Sequence, residues 1–64
     1  MQEKIAVIGG GGWGTALGNL LCDNGFGVTI YAREEQVVSS INENNENSLF
    51  LKGVKVSDKL KSDD

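Results

Sequence analysis

The sequence predicts an α/β fold that opens with a parallel βαβ unit. An apolar run rich in branched residues covers residues 4–8, apolar side chains recur at helical spacing over residues 13–21, and a second β-prone run covers residues 28–31. A helix that connects two short strands makes them parallel, and the crossover is right-handed in nearly all such units. With 64 residues the chain is at most one small domain or part of one, because domains usually have about 100 to 200 residues.

Each element of the unit has its own signal. Residues 5–8 are apolar without interruption, which is typical of a strand buried on both faces of a parallel sheet. Gly9 to Gly12 interrupt regular structure, and Asn24-Gly25 ends the helix because both residues tolerate the left-handed conformation. The helix between them is indicated by apolar residues at helical spacing: Trp13, Ala16, Leu17, Leu20 and Leu21.

The second half of the chain is more polar. Glu34-Glu35 predicts the start of a short second helix, because acidic residues stabilise the positive end of the helix dipole. Its apolar face consists of Val37, Val38 and Ile41.

Beyond that helix the signals weaken. Residues 42–48 contain four Asn and two Glu and are expected to form a loop too polar to be buried, followed by a small apolar anchor at residues 49–51. Val54 and Val56 indicate weak β structure. The charged tail, residues 57–64, is expected to fray.

Composition excludes several classes of protein. Nine acidic and six basic residues give a net charge of -3, which argues against sequence-independent binding of nucleic acid. The single Cys22 and the lack of histidine exclude an internal disulfide and a zinc site, and Cys22 is expected to be a small buried hydrophobe. A free thiol without a secretory signal predicts a cytoplasmic location. Residues 5–8 are far short of the roughly 20 apolar residues that a membrane span needs.

The glycine-rich loop carries the clearest functional signal. Gly9, Gly11 and Gly14 form G-x-G-x-x-G between the predicted strand and helix, which is the context of a Rossmann-type dinucleotide site. Gly9 is assigned to the tight turn, Gly11 to close approach of the pyrophosphate, and Gly14 to packing of helix on strand. The alternative is a flexible linker, which would not be expected between a buried strand and an amphipathic helix. A Walker A loop is excluded because no Gly-Lys-Ser or Gly-Lys-Thr follows.

Two further side chains are candidate cofactor contacts. Where the second strand ends, dinucleotide sites often carry an acid for the ribose of NAD, but here Arg33 precedes the first acid, Glu34. The guanidinium could hold a ribose 2′-phosphate, so NADP is expected to be tolerated beside NAD; alternatively Arg33 is a solvated residue or an ion-pair partner of Glu34 or Glu35. The indole of Trp13 could pack on the cofactor or, equally, into the core.

The chain resembles a known family along nearly its whole length. The segment IAVIGGGGWGTA at residues 5–16, followed by Glu46-Asn47 and then Leu51-x-Gly53-x-Lys55, is similar to the amino terminus of NAD(P)-dependent glycerol-3-phosphate dehydrogenases. The family usually has a small polar residue at Gly12 and prolines at the positions of Ser48 and Lys52. This chain therefore keeps the spacing of the family's motifs but has a less rigid backbone. The resemblance implies that four residues contact or adjoin the cofactor: Trp13, Gly12 through its backbone only, Arg33 and Phe50.

The resemblance also implies an activity. These enzymes interconvert dihydroxyacetone phosphate and sn-glycerol 3-phosphate with NAD or NADP, which feeds phospholipid synthesis. On that interpretation residues 1–64 are the N-terminal part of a dinucleotide-binding domain with an incomplete doubly wound sheet, and the substrate domain is absent. The catalytic lysines and the site for the phosphate substrate lie outside the chain, so we expect no turnover from it alone. The alternatives are another small-molecule dehydrogenase with the same opening, or a non-catalytic nucleotide-binding module.

Overall fold

The computed structural model describes residues 3–64. Along the chain lie β1 (Lys4–Ile8), α1 (Gly12–Asp23), β2 (Gly27–Tyr31), α2 (Glu35–Asn44), β3 (Glu46–Asn47), β4 (Leu51–Lys55) and β5 (Lys61–Asp63). A parallel sheet has the strand order β1-β2-β5, while β3 and β4 form a separate antiparallel pair. The predicted α/β fold of Rossmann type, with its opening βαβ unit, is confirmed.

The core lies on one face of the parallel sheet. Ile30 on β2 and Ile41 on α2 are fully buried there, and Gly18 of α1 packs directly on Val28 and Ile30. Both helices therefore cover the same side, as two consecutive right-handed crossovers that lead from β1 to β2 and on to β5 require. The buried hydrophobic residues are Cys22, Val28, Ile30, Ala32, Val37, Ile41, Val56 and Leu60.

The expectation that the first strand is buried on both faces is wrong for the described residues. Ile5 and Val7 are partly buried against the core, but Ala6 and Ile8 are exposed, and 82% of Ile8 is accessible. The reason is that both helices cover the face of Ile5 and Val7, while the opposite face of the sheet has no helix among residues 3–64.

The helical spacing over residues 13–21 predicted α1 correctly, but its apolar residues mostly point away from the core. The buried positions of α1 are Thr15, Gly18 and Cys22. Small side chains on this face let α1 approach β2 closely, because a Cβ at Gly18 would lie only 3.2 Å from Ile30 Cδ1. Cys22 is buried, as the sequence predicted. The larger side chains are exposed: Trp13, Leu17 and Leu20.

The second half of the chain is more ordered than its polarity suggested. Helix α2 begins at Glu35 and buries Val37 and Ile41, as predicted, but it continues through Asn44 into the segment expected to be a loop. Asn45 then ends the helix with a φ of 55°, and Asn47 of β3 is completely buried. The prediction of a loop too polar to be buried is therefore wrong, because hydrogen bonds compensate the burial.

The tail does not fray. Strand β5 pairs with β2 in register from Thr29 opposite Lys61 to Tyr31 opposite Asp63. Leu60 is 1% exposed, and Ser62 donates a 2.7 Å hydrogen bond to the Ile30 carbonyl. The apolar Leu60 and the hydrogen-bonded Ser62 alternate with charged residues, so the tail has the pattern of a strand with one buried face.

The remaining sequence signals have mixed outcomes. The weak β structure expected at residues 54–56 is confirmed by β4, which includes Val54, while Val56 is buried directly after it. The anchor expected at residues 49–51 is only partly buried, because Leu49 and Phe50 are exposed and Leu51 is half-buried. Within residues 3–64, no helix has the length and apolar character to cross a membrane.

Candidate functional site

The glycine-rich loop joins the carboxyl end of β1 to the first turn of α1. Gly9 has a φ of 107°, a conformation that residues with a side chain rarely adopt, and its N–H donates a 2.8 Å hydrogen bond to the Tyr31 carbonyl. This hydrogen bond holds the start of the loop against the end of β2. The turn assigned to Gly9 therefore stands where two parallel strands end, which is where open α/β sheets bind ligands.

Gly14 and Gly11 differ in what surrounds them. A Cβ at Gly14 would lie 2.9 Å from the Gly9 carbonyl oxygen and 3.5 Å from Val7 Cγ1, so only glycine allows α1 to pack this closely on β1. A Cβ at Gly11 would meet nothing within 4 Å, and Gly11 has an ordinary extended conformation with a φ of -68°. Nothing within residues 3–64 therefore requires glycine at position 11, and the space beside it is open to a ligand.

The N–H groups at the start of α1 are free to bind an anion. Among residues 3–64, the amides of Gly11, Gly12 and Trp13 donate no hydrogen bond to a backbone or side-chain acceptor. The first turn of α1 carries no acidic side chain that would compete with a bound anion for these amides. Unpaired amides together with the positive end of the helix dipole form a site suited to phosphate without any lysine.

A cleft of about 520 Å³ opens beside this loop. The cleft brings together four of the predicted cofactor contacts, although they come from three separate parts of the chain. These four are Gly9, Gly11, Arg33 and Phe50. Arg33 lies just beyond β2, and Phe50 lies on the segment between β3 and β4. The cleft is lined by Ile8, Gly9, Gly10, Gly11, Tyr31, Arg33, Glu34 and Phe50.

For two predicted contacts the structure excludes one of the alternatives that the sequence left open. Trp13 is 82% exposed, so the alternative of core packing is wrong for this structure. Arg33 is exposed and has no ion-pair partner among residues 3–64, where the one ion pair joins Lys55 and Glu46 at 3.9 Å. The guanidinium of Arg33 is therefore not engaged by the neighbouring Glu34 or Glu35.

Comparison with known proteins agrees with this geometry. A family described as NAD-dependent glycerol-3-phosphate dehydrogenase N-terminus matches residues 4–64. The chain belongs to this family. The resemblance noted in the sequence is thereby confirmed.

Individual relatives of the family are similar over the same range. A glycerol-3-phosphate dehydrogenase [NAD(P)+] of Citrifermentans bemidjiense is 52% identical over 60 residues, which are 94% of this chain and 18% of the relative. The enzyme of the same name from Erythrobacter litoralis is 42% identical over 62 residues, 97% of this chain and 19% of the relative. A solved structure of Plasmodium falciparum glycerol-3-phosphate dehydrogenase superposes with a TM-score of 0.80 at 27% identity, covering 97% of this chain and 20% of that one. The chain thus spans about a fifth of the length of the relatives it matches.

In this member of the glycerol-3-phosphate dehydrogenase family, two further glycines of the loop have steric roles that the sequence motif did not assign. A Cβ at Gly10 would lie 2.6 Å from Ala32 Cβ and 3.0 Å from Val37 Cγ1, so Gly10 lets the loop pack onto the segment after β2. A Cβ at Gly12 would lie 2.7 Å from the Phe50 carbonyl oxygen. The run of four glycines, longer than the motif requires, was the sequence signal for these two contacts.

Two other residues at the site were not predicted from the sequence. Tyr31 lines the cleft and binds Gly9 through its carbonyl, and its position as the last residue of a β-prone run could have indicated this. Asn47 donates a hydrogen bond to the Gly10 carbonyl from inside the protein, and the sequence carried no signal for this contact beyond the place of Asn47 in the segment that resembles the family. No cluster of His, Cys, Asp or Glu that could hold a metal ion occurs in residues 3–64.

Proposed function

We propose that this chain is the N-terminal part of the dinucleotide-binding domain of an NAD(P)-dependent glycerol-3-phosphate dehydrogenase. Such an enzyme interconverts dihydroxyacetone phosphate and sn-glycerol 3-phosphate. The observation that carries the proposal is the family match over residues 4–64 together with a G-x-G-x-x-G loop whose central Gly11 faces open space beside unpaired amides. A cytoplasmic location remains a prediction, supported by the free thiol of Cys22.

The residues present fit a dinucleotide. A diphosphate fits beside Gly11, where an added Cβ would occupy the space it needs, and the amides of Gly11, Gly12 and Trp13 are its donors. Gly9 and Gly14 shape the loop rather than touch the ligand. When bound, the nicotinamide of the cofactor donates or accepts the hydride of the reaction.

Side chains around the cleft supply the remaining cofactor contacts of the proposal. Phe50 offers an aromatic face at the cleft, and the exposed indole of Trp13 stands at the start of α1, beside the phosphate donors. Arg33 provides a planar set of donors where the second strand ends, so the ribose 2′-phosphate of NADP is accepted as well as NAD.

Catalysis requires groups beyond these. Reduction of a ketone needs a proton donor for the developing alkoxide and a site for the phosphate of the substrate. We assign neither to residues 3–64, whose role in the proposal is to hold the cofactor. The relatives are more than five times as long as the segment they share with this chain, and the proposal places the catalytic groups in that additional length.

The decisive experiment begins with the DNA sequence downstream of codon 64. The protein in the full length that its gene encodes is then assayed for reduction of dihydroxyacetone phosphate with NADH and with NADPH, followed by the absorbance of the reduced nicotinamide. Turnover with this substrate supports the proposal. Turnover only with a hydroxy acid or a sugar derivative would indicate a different dehydrogenase, and cofactor binding without any turnover would indicate a nucleotide-binding module.

A further inference from the structure

Asn47 is a fully enclosed polar residue next to the glycine loop. Its side chain is 0% exposed and makes four hydrogen bonds, which occupy both ends of the amide. The Nδ2 atom donates to the Gly10 carbonyl at 2.7 Å and to Thr15 Oγ1 at 2.8 Å. The Oδ1 atom accepts from the N–H of Phe50 at 3.1 Å and, more weakly, from that of Leu49 at 3.3 Å.

The hydrogen bond to Gly10 controls the neighbouring donor. No peptide bond among the described residues is cis, and in a planar trans peptide the C=O and the N–H point in opposite directions. Because the Gly10 carbonyl points inward to Asn47, the N–H of Gly11 on the same peptide plane points away from the interior. Asn47 thereby determines the direction of one of the amides proposed to bind the diphosphate.

The other end of the same side chain organises the segment that carries Phe50. The Oδ1 atom of Asn47 closes a tight turn over residues 47–50, and the Phe50 carbonyl then comes so close to Gly12 that a Cβ there would lie 2.7 Å from it. One buried amide therefore connects the glycine loop, the first turn of α1 and the aromatic residue at the cleft.

We propose that Asn47 is a positioning residue that holds the glycine loop in its diphosphate-binding conformation. This inference rests on the proposed function, because it concerns the same cofactor site. It predicts that loss of the Asn47 amide weakens the binding of ligands that carry a diphosphate, and that it does so independently of its effect on stability.

The test compares two asparagines in the protein in the full length that its gene encodes. Asn42 is the matched control, since its amide also bridges two elements: Nδ2 donates to the Ser62 carbonyl at 2.8 Å and Oδ1 accepts from the Ser62 N–H at 2.9 Å. Asn42 joins α2 to β5, and its side chain makes no hydrogen bond to the glycine loop among the described residues. Asn47→Ala and Asn42→Ala both remove an amide without changing the charge.

Affinities for NAD+, ADP and adenosine are measured by calorimetry or NMR titration, and melting temperatures by circular dichroism. Asn47→Ala is expected to raise the dissociation constants of NAD+ and ADP by about tenfold or more, the range of a lost hydrogen bond to a charged group, while that of adenosine stays within about twofold. Asn42→Ala is expected to lower the melting temperature and to leave all three affinities within about twofold.

Three results would overturn the inference: unchanged ADP affinity in Asn47→Ala, an equal loss for adenosine, or the same loss in Asn42→Ala. If Asn47→Ala does not fold, Thr15→Val removes one partner of the Asn47 amide with little change in shape. Thr15→Val should lower the affinity for ADP by about threefold and leave the affinity for adenosine unchanged. An affinity for ADP equal to that of the wild-type protein would then refute the inference. A wild-type protein that binds neither NAD+ nor ADP would instead refute the proposed function itself.

Discussion

Replacement of Gly11 by alanine should remove cofactor binding and leave the fold intact. The φ of Gly11 is -68°, which alanine adopts without strain, and the added Cβ would meet no atom within 4 Å. Alanine is a somewhat poorer helix N-cap than glycine but restricts the unfolded chain, so the free energy of unfolding should change by less than about 1 kcal/mol.

The expected effect on binding is much larger. A methyl group at Gly11 would hold the diphosphate oxygens at van der Waals distance from its carbon, beyond the reach of the amides of Gly11 and Gly12. Each lost hydrogen bond to a charged oxygen contributes about 1.5 to 3 kcal/mol, so the loss of two should raise the dissociation constant about 100-fold or more.

Gly10→Ala is the matched control for this prediction, because it makes the same chemical change one residue earlier. Its Cβ would lie 2.6 Å from Ala32 Cβ, so this variant should lose about 1 to 3 kcal/mol of stability through overpacking. Urea unfolding and titration with NAD+ and NADP+ would be measured on both variants in the protein in the full length that its gene encodes. Undiminished affinity in Gly11→Ala would show that the diphosphate does not approach the backbone there.

Three further substitutions test other parts of the site and the fold. Arg33→Gln should lower the affinity for NADP+ by about tenfold or more and that for NAD+ by less than about threefold in titrations, because only NADP+ carries the additional phosphate. Equal losses of affinity would contradict the assignment of Arg33 to the 2′-phosphate. Gly12→Ser places a Cβ 2.7 Å from the Phe50 carbonyl oxygen and should lower the free energy of unfolding, measured in urea, by about 1 to 2 kcal/mol; an unchanged free energy would show that this close approach does not constrain the segment around Phe50. Leu60→Ala should lower the free energy of unfolding by about 2 to 5 kcal/mol and speed amide hydrogen exchange in β5, since Leu60 is 1% exposed. Unchanged protection of the β5 amides would mean that β5 does not depend on the packing of Leu60.

The parts of the fold that follow from neighbouring residues were predictable. The apolar run of β1, the helical spacing of α1 and the β-prone run of β2 each need only a few adjacent residues to be recognised. The same holds for the glycine loop, because a turn with a φ of 107° at Gly9 and a close approach at Gly14 both demand the absence of a side chain. The position of the cleft follows from the order of these elements.

Which face of α1 packs on the sheet could not be predicted in this way. The spacing of its large apolar residues indicated a helix, but close packing against β2 selects the face with Gly18 and Cys22 instead. Which of two faces is buried depends on how near the partner strand lies, and that distance is set by the small residues. Pattern alone assigns burial to the larger side chains.

Polar residues show most clearly what depended on the three-dimensional structure. Asn47 was expected in an exposed loop and Ser62 in a frayed tail, yet both are buried, because each finds hydrogen-bond partners far away in the chain. Asn47 binds Gly10 across 37 positions, and Ser62 binds Ile30 across 32. Local sequence encodes backbone conformation and apolar periodicity, whereas the burial of a polar group is stable only when distant acceptors and donors are brought to it.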